Sequence, residues 1–177
     1  MSQNKSKGSI EDVMIQMIVT AANGFAIGKD DEPLVNIPAV LQRTRRMTDG
    51  AIVIMGRKTL ERTTGTAMLN AYKVIGLSKN KNYRYKGATI VHSIEELIKE
   101  LEKEKNREAY CLGGESIFKA LLPYTDTIHL TKINFNYEAN RYFPNPEEKE
   151  DWIQTTESEE STYFDLEYKN IEYEKKK

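Results

Sequence analysis

Arg57, Lys58 and Thr59 place two cations and a hydroxyl directly after Gly56, in the segment AIVIMGRKTLE of residues 51–61. The apolar and small residues before the glycine predict a buried strand, and the polar residues fall where a helix would begin. A helix start has free backbone N–H groups and the positive end of the helix dipole, so this combination could bind phosphate. Taken alone, the segment is equally compatible with a surface turn that carries solvated charges.

A second segment with the same pattern is AYCLGGESIF, residues 109–118. A short apolar run is followed by Gly113 and Gly114 and then by a pattern typical of a helix. Two strand–glycine–helix junctions in one small chain predict an α/β protein that binds a dinucleotide across its strand ends. Each junction alone is weak evidence, because strand-to-helix turns often contain glycine. Neither segment has the spacing of a P-loop or of GxGxxG.

The composition argues against several classes of protein. Lys and Arg number 26 and Asp and Glu 27, a net charge of −1, whereas a nucleic-acid-binding domain is normally clearly basic. A mean hydropathy of −0.62 and the lack of a long apolar run argue against a membrane span. The polar first residues do not resemble a secretory signal, and the single Cys111 allows no internal disulfide, so we expect a cytoplasmic protein. The spacing of its histidines and cysteine predicts no metal site.

Hydrophobic patterns predict the elements that position the two junctions. Strands are predicted near residues 14–20, 51–55, 72–77, 88–91, 110–112 and 127–133, with a hairpin of 152–157 and 164–174. Helices are predicted at residues 39–47 and 59–62, after Ser93, and around 117–121, and Ser93 forms a capping-box pattern with Glu96.

This order of elements predicts an α/β fold. We expect a central, mostly parallel twisted sheet with an antiparallel C-terminal edge, flanked by about four helices. Residues 1–12 are expected to form a flexible N-terminal tail, and residues 13–177 a single domain.

Several motifs, read in order, resemble those of the dihydrofolate reductase family. They are AANGFAIG, NIPAVL, VIMGRKTLE, VIGLS, LGGESIF, LLPYTD, LTKI and RYFP, and the resemblance extends from about Met14 to Glu174. It implies a dihydrofolate-reductase-like fold and an NADPH-dependent oxidoreductase of folate and one-carbon metabolism. In such an enzyme a hydride passes from the nicotinamide to a carbon of the pterin ring, and the adjacent ring nitrogen takes a proton.

The resemblance also implies the cofactor site. The phosphates would lie against the first junction, the adenosine end against Ser78 and Lys79, and the nicotinamide against Ala22 and Ile27. The implied cofactor-binding residues are Ala22, Ile27, Gly28, Gly56, Arg57, Lys58, Thr59, Leu77, Ser78, Lys79, Gly113, Gly114, Glu115, Ser116 and Ile117.

The substrate side departs from the family pattern, most clearly at Val40. The family has a carboxylate there, which binds the pterin's amino group and ring N–H together and assists protonation; valine offers neither charge nor acceptor. The threonine that partners this carboxylate is retained as Thr131, so no residue is identified with certainty as catalytic. The implied substrate-binding residues are Ile18, Val35, Val40, Leu41, Thr44, Leu112, Phe118 and Thr131.

Further positions on the substrate side also differ. Val35 stands in place of a tryptophan, Thr44 of an aromatic or other apolar residue, Tyr72 of an arginine, and Phe118 of a tyrosine. Asp30, Asp31 and Glu32 could supply a replacement carboxylate, although a solvated loop holds such a group poorly in place.

Two functions therefore remain open. The first is a reductase that acts slowly on dihydrofolate or on a related small ring. The second is a non-catalytic descendant that keeps the fold, with or without NADP(H) binding, as a binding or structural module. A nucleic-acid or protein-interaction domain has only the charge runs at 147–151 and 172–177 in its favour. The expected partner is a small-molecule substrate, with no nucleic acid and no membrane, and the expected state is a monomer or homodimer.

Overall fold

The structure is a computed structural model, and it describes residues 15–63 and 70–177. The expected tail at residues 1–12 lies outside these residues. The described strands are β1 (Ile15–Ala21), β2 (Ala26–Lys29), β3 (Glu32–Pro33), β4 (Ile52–Gly56), β5 (Lys73–Leu77), β6 (Thr89–Val91), β7 (Ala109–Cys111), β8 (Thr127–Ile133), β9 (Arg141–Tyr142), β10 (Trp152–Glu157), β11 (Ser161–Tyr163) and β12 (Leu166–Lys175). The α-helices in the same residues are α1 (Pro38–Thr48), α2 (Arg57–Thr63), α3 (Ile94–Glu102) and α4 (Glu115–Leu121).

The main sheet has the strand order β10–β12–β8–β1–β7–β4–β5–β6, and β11 pairs with the start of β12. All pairings from β8 to β6 are parallel, whereas β12 runs antiparallel to β8 and to β10. This arrangement confirms the predicted mostly parallel sheet with its antiparallel C-terminal edge. The four described α-helices also agree with the prediction. Strand β4 is buried along its whole length, as a central parallel strand covered on both faces must be.

Local sequence signals account for the helix starts. Ser93 Oγ accepts a hydrogen bond from the Glu96 backbone N–H at 3.1 Å, which confirms the predicted cap of α3. The Glu96 carboxylate accepts from the backbone N–H of His92 rather than of Ser93. Helix α2 begins at Arg57, two residues before the predicted start, so all three polar residues after Gly56 lie in its first turn.

The sequence did not predict the second, smaller sheet, which has the order β3–β2–β9. Its strands are two to four residues long, too short for a hydrophobic period to be visible, and β9 comes from a distant part of the chain. The sequence also missed β11, which pairs with β12 across a turn at Phe164–Asp165. Phe164 has a positive φ of 54°, a conformation that the identity of a phenylalanine does not indicate.

The two faces of the main sheet have different roles. Met17, Val19 and Ala21 of β1 belong to the large core cluster on one face. Ile18 faces the other way and packs with Ala51 and Tyr110. Because strand residues alternate between faces, the polar and substrate-side positions of β1 and β8 share this second face. No described helix is long and apolar enough to cross a membrane.

Candidate active site

The two strand–glycine–helix junctions lie side by side. Strands β4 and β7 are parallel neighbours, so their carboxyl ends meet at one edge of the sheet. The Gly56 backbone N–H donates to the Gly113 carbonyl oxygen at 2.8 Å. A Cβ atom at Gly56 would lie 3.0 Å from Ile117 Cγ1, so the first turns of α2 and α4 approach closely only because Gly56 lacks a side chain.

Of the two glycines of the second junction, only Gly114 borders an open space between the two helix starts. Gly113 has a φ of +106°, and a Cβ atom there would lie 2.8 Å from the Phe118 ring. A Cβ atom at Gly114 would have only Thr59 Oγ1 nearby, at 3.9 Å. Thr59 is buried, and its hydroxyl makes no hydrogen bond to any residue that the structure describes. Gly114 caps α4 without a side-chain hydrogen bond, so a ligand could approach these backbone groups.

Arg57 is held beside this space by a carboxylate and an aromatic ring. Its Nε donates to Glu61 Oε2 at 3.2 Å, and its guanidinium carbon lies 4.8 Å from the centre of the Tyr83 ring. The Tyr83 hydroxyl donates to the same Glu61 oxygen at 2.6 Å, and this bond, followed by the bond from Arg57, lowers the pKa of Glu61. The Arg57 side chain is 51% exposed, so it can still reach an anion in solvent.

Lys58 pairs with a carboxylate of the loop between β2 and β3. Its Nζ lies 2.5 Å from Asp31 Oδ2, and Arg141 Nη2 lies 3.3 Å from Asp31 Oδ1. Arg62 Nη1 donates to the Asp31 carbonyl oxygen at 2.8 Å. The bond from Lys58 is the main reason that the pKa of Asp31 lies below its ordinary value. Asp31 is therefore bound to cations at the junction.

The other two loop carboxylates are also occupied or exposed. Asp30 Oδ1 accepts from Asn140 Nδ2 at 3.0 Å, and Glu32 is exposed. None of the three loop acids, Asp31 included, lines the substrate-side cleft described below. The alternative that one of them replaces the family's carboxylate has no support in this arrangement.

Of the remaining implied cofactor residues, those at the end of β5 lie along the same edge of the sheet. Leu77 ends β5 and packs against the large core cluster, while Ser78 Oγ accepts from the Asn80 backbone N–H at 3.2 Å. Lys79 is exposed beyond them. The implied residues on α4 have separate roles. Ile117 packs beneath Gly56, Ser116 is exposed, and Glu115 accepts from the Tyr142 backbone N–H at 2.8 Å.

A narrow apolar cleft lies next to this edge, on the α1 side of the sheet. Its cavity volume is about 30 Å³, far below the roughly 300–1,000 Å³ of typical small-molecule sites. The loop after β3 narrows it. None of the residues that line the cleft is ionisable, and they are Thr20, Ala22, Ala26, Ile27, Pro33, Leu34, Val35 and Ile133.

Val40 contributes to an apolar cluster rather than to a polar contact. Like Val35, it packs against the buried cluster of Ile37, Ile133 and Tyr168. The neighbouring Thr44 hydroxyl donates to the Val40 carbonyl oxygen at 3.1 Å and so is used within α1. Leu41, on the next position of the helix, is 41% exposed.

The structure distributes the other implied substrate residues over different clusters. Ile18 and Leu112 pack with Ala51 and Tyr110 beneath α1. Phe118 lies in the large core cluster, where its ring contacts Phe143 edge-on at 5.0 Å between ring centres. Ile18 and Leu112 therefore lie on the substrate side, and Phe118 lies in the main core below the second junction.

Thr131 has a different partner from the one that the family pattern implies. It is buried, with 3% exposure, and its hydroxyl donates to Asn170 Oδ1 at 2.8 Å. Sequence reasoning missed both Asn170 and Thr20. A signal was present for Asn170, a polar residue of β12 that lies two positions from the buried Tyr168 and therefore on the same face of the sheet.

Among the described residues, no three His, Cys, Asp or Glu side chains are arranged to hold a metal ion. The arrangement is therefore a glycine-rich junction with nearby cations, followed by an apolar cleft without an acid. Its chemistry fits the binding of a phosphorylated cofactor next to a small, mainly apolar ring.

A family model of dihydrofolate reductase matches residues 14–175 of the chain. The dihydrofolate reductase of Staphylococcus haemolyticus is 34% identical over 130 residues, which cover 73% of this chain and 76% of that protein. The dihydrofolate reductase of Bacillus subtilis (strain 168) is 29% identical over 168 residues, 92% of this chain and 95% of that protein. A solved structure of dihydrofolate reductase from Enterococcus faecalis, complexed with NADP(H) and RAB-propyl, has a TM-score of 0.82 at 22% identity and covers 93% of this chain and 97% of its own.

Proposed function

Because the chain belongs to the dihydrofolate reductase family, we propose that it is an NADPH-dependent reductase that reduces dihydrofolate to tetrahydrofolate slowly, or reduces a related small ring. The observation that carries the proposal is the contact between the two junctions, where Gly56 N–H donates to Gly113 O at 2.8 Å. We further propose that residues 13–177 act as one catalytic domain in the cytoplasm, as a monomer or homodimer.

The residues at the junction are suited to an anionic cofactor. Lys58 and Arg57 would neutralise the phosphates, and the Thr59 hydroxyl, which bonds to no described residue, could donate to a phosphate oxygen. Gly114 leaves room for the pyrophosphate to approach the backbone, since its missing Cβ opens the space beside Thr59. NADPH bound there would supply the hydride, and Ala22 and Ile27 would form the apolar wall of the cleft next to it.

The rate that we propose is low because none of the described residues that line the cleft is an acid. The lining residues offer one hydroxyl, that of Thr20, and otherwise only apolar side chains. The proton for the ring nitrogen would therefore come from water. General acid–base assistance contributes roughly 10²–10⁴-fold to a rate, and this enzyme would do without it.

A second candidate function is supported by the packing of Val40. Its side chain belongs to an apolar cluster with Ile133 and Tyr168, and the neighbouring cleft is small. A family member that retained the nucleotide site and lost turnover would have these features. In that case the protein would serve as an NADP(H)-binding or structural module.

Two measurements distinguish the candidates. NADPH fluorescence on titration with the protein reports cofactor binding, and absorbance of a mixture with dihydrofolate reports turnover. We expect saturable binding with slow turnover. Binding without any turnover of dihydrofolate or related pteridines would favour the non-catalytic module, and the absence of binding would overturn the reductase.

The binding measurement has a matched control. Lys58→Ala should weaken NADPH binding, since it removes a cation from the first turn of α2. Lys149→Ala removes the same charge near β10, an edge strand that is five positions from β4 in the main sheet. It should leave binding unchanged. Equal effects of the two substitutions would mean that only the net charge matters.

A further inference from the structure

Three polar residues form a row across neighbouring strands on the α1 side of the main sheet. Thr20 of β1 is in register with Thr131 of β8, and Thr131 is in register with Asn170 of β12. Residues that are directly paired project from the same face of a sheet, so the three side chains are neighbours. We call Thr20, Thr131 and Asn170 the polar row.

The polar row borders the substrate-side cleft. Thr20 lines the cleft itself, together with Ile133. Ile133 follows Thr131 by two positions on β8, and Tyr168 precedes Asn170 by two positions on β12, so both lie on the face of the row. Ile133 and Tyr168 pack with Val40. The polar row therefore lies next to Val40, the position where a family member would carry its carboxylate.

The hydrogen-bonding capacity of the row is neutral and rich in donors. Thr131 gives its only hydroxyl proton to Asn170 Oδ1 at 2.8 Å. Because Asn170 Oδ1 accepts this bond, the two N–H groups on Nδ2 are available to other partners, as is the Thr20 hydroxyl. Neither Asn170 Nδ2 nor the Thr20 hydroxyl bonds to any residue in the described part of the chain. The acid that follows on the same face of β12 is Glu172, whose carboxylate lies 3.5 Å from His129 Nδ1.

We propose that Asn170 determines substrate specificity in place of the absent carboxylate, and that the polar row selects rings with a carbonyl acceptor at the edge where folates carry an amino donor. This inference rests on the proposed function, because it assigns the substrate class of the same cleft. Asn170 Nδ2 donates to the ring carbonyl, and Thr20 provides a second polar contact. A ring that presents amino N–H groups instead places them against the Asn170 amide N–H groups, and a donor left unpaired in a desolvated site is strongly unfavourable.

Two pteridines that carry opposite groups at ring positions 2 and 4 test the proposal. Pteridine-2,4-dione presents carbonyl groups, and 2,4-diaminopteridine presents amino groups on the same ring. Binding of each is measured by the fluorescence of the pteridine, with and without saturating NADPH. We expect the wild-type protein to prefer the dione by about tenfold or more.

The decisive variant is Asn170→Asp, which keeps an acceptor for Thr131 and supplies a carboxylate. It should reverse the preference, with tighter binding of the diamine and weaker binding of the dione, each by about tenfold. Asn170→Leu removes the donors without adding charge and should weaken the dione alone. Asn106→Asp makes the same chemical change on an exposed residue before β7, at the amino ends of the parallel strands, opposite to the ends that border the cleft. It should change neither affinity. Circular dichroism confirms that each variant is folded.

The outcomes separate this inference from the proposed function. A wild-type protein that prefers the diamine, or an unchanged preference in folded Asn170→Asp and Asn170→Leu, would overturn the role of Asn170. So would the failure of both pteridines to bind. Failure to bind NADPH, with the pteridine preference and its reversal intact, would overturn the proposed reductase and leave the specificity assignment standing.

Discussion

Lys58 Nζ lies 2.5 Å from Asp31 Oδ2, so the loop between β2 and β3 is tied to the first turn of α2 by an ion pair. Asp31 has a positive φ of 67° and sits in a turn whose other carboxylate, Asp30, bonds to Asn140. The Asp31 carboxylate is thus bonded to a cation of the proposed phosphate site, and a phosphate bound there would compete with it for Lys58.

Substitution of Asp31 should strengthen cofactor binding. Asp31→Asn removes the carboxylate that competes for Lys58, and we expect the Kd for NADPH to fall by about threefold at low salt, with a smaller effect at high salt. Titration of NADPH fluorescence at two ionic strengths measures this. Glu32→Gln removes the same charge from an exposed neighbour and should have little effect. An unchanged or weaker affinity in Asp31→Asn would show that the ion pair does not oppose binding.

Restoring an acid at position 40 should rescue little activity. In Val40→Asp the carboxyl group lies among Val35, Ile133 and Tyr168, and burial of an unpaired carboxyl among them should cost about 1–3 kcal/mol of stability. We expect dihydrofolate turnover to rise by less than about tenfold, below the roughly 10²–10⁴-fold of effective acid–base assistance. Val40→Thr, similar in shape and uncharged, is the control. A rise of a hundredfold or more would mean that the remaining pocket is already suited to folate.

A buried polar chain beneath α1 lies away from the cleft. Gln16 Nε2 donates to Glu108 Oε2 at 2.9 Å, which directs Gln16 Oε1 toward His129 Nε2 at 2.5 Å. Nε2 therefore carries the proton, and no residue in the described part of the chain donates to the buried His129 Nδ1. The Glu172 carboxylate, 3.5 Å from Nδ1, can only accept.

The charge of His129 makes the stability of the protein depend on pH. Burial lowers the pKa of His129 from its ordinary value of 6.5, with Arg43 adding to the effect and the carboxylates of Glu172 and Glu108 opposing it. Since the folded-state pKa is the lower one, the unfolded chain binds more protons as the pH falls through 6.5. His129 therefore makes the protein less stable as the pH falls below that value.

Relative to the wild-type protein, Glu172→Gln should raise the free energy of unfolding at high pH and lower it at low pH. The amide N–H can donate to the unprotonated His129 Nδ1, which should add about 0.5–1.5 kcal/mol to the free energy of unfolding at a pH of about 8. Loss of the carboxylate removes an attraction for the protonated ring, so stability should fall more steeply below about pH 6.5. Urea unfolding at both pH values measures the difference, with exposed Glu174→Gln as the control. Lower stability of Glu172→Gln at high pH would contradict this account.

The two glycines of the second junction should respond differently to alanine. At Gly113 the φ of +106° and a contact of 2.8 Å with the Phe118 ring make Gly113→Ala destabilising, by about 1–3 kcal/mol. At Gly114 the added Cβ meets only Thr59 Oγ1 at 3.9 Å, so Gly114→Ala should fold with little loss of stability. It should nevertheless weaken NADPH binding, because it fills the space between the helix starts. Thermal unfolding and NADPH titration of both variants test this; full nucleotide affinity in Gly114→Ala would contradict it.

The sequence alone determined the features that depend on residues close together in the chain. The runs that end at Gly56 and Leu112 predicted buried strands, and Ser93 predicted the start of α3 through a hydrogen bond to a residue three positions away. The order of these signals was enough to predict a mostly parallel sheet with two glycine junctions. Pattern reasoning works here because backbone geometry links neighbouring residues directly.

Only the tertiary structure decided which distant residues meet. Asp31 reaches Lys58 over 27 positions, and Asn170 reaches Thr131 over 39. Neither pair follows a local period, because strand order and loop docking bring them together. The sequence could show that an acid is absent at Val40, whereas the apolar packing around Val40 and the neutral residues beside it depend on how β8, β12 and α1 stack. Side-chain identity sets what each group can bond to, and the packing of these elements sets which partner it finds.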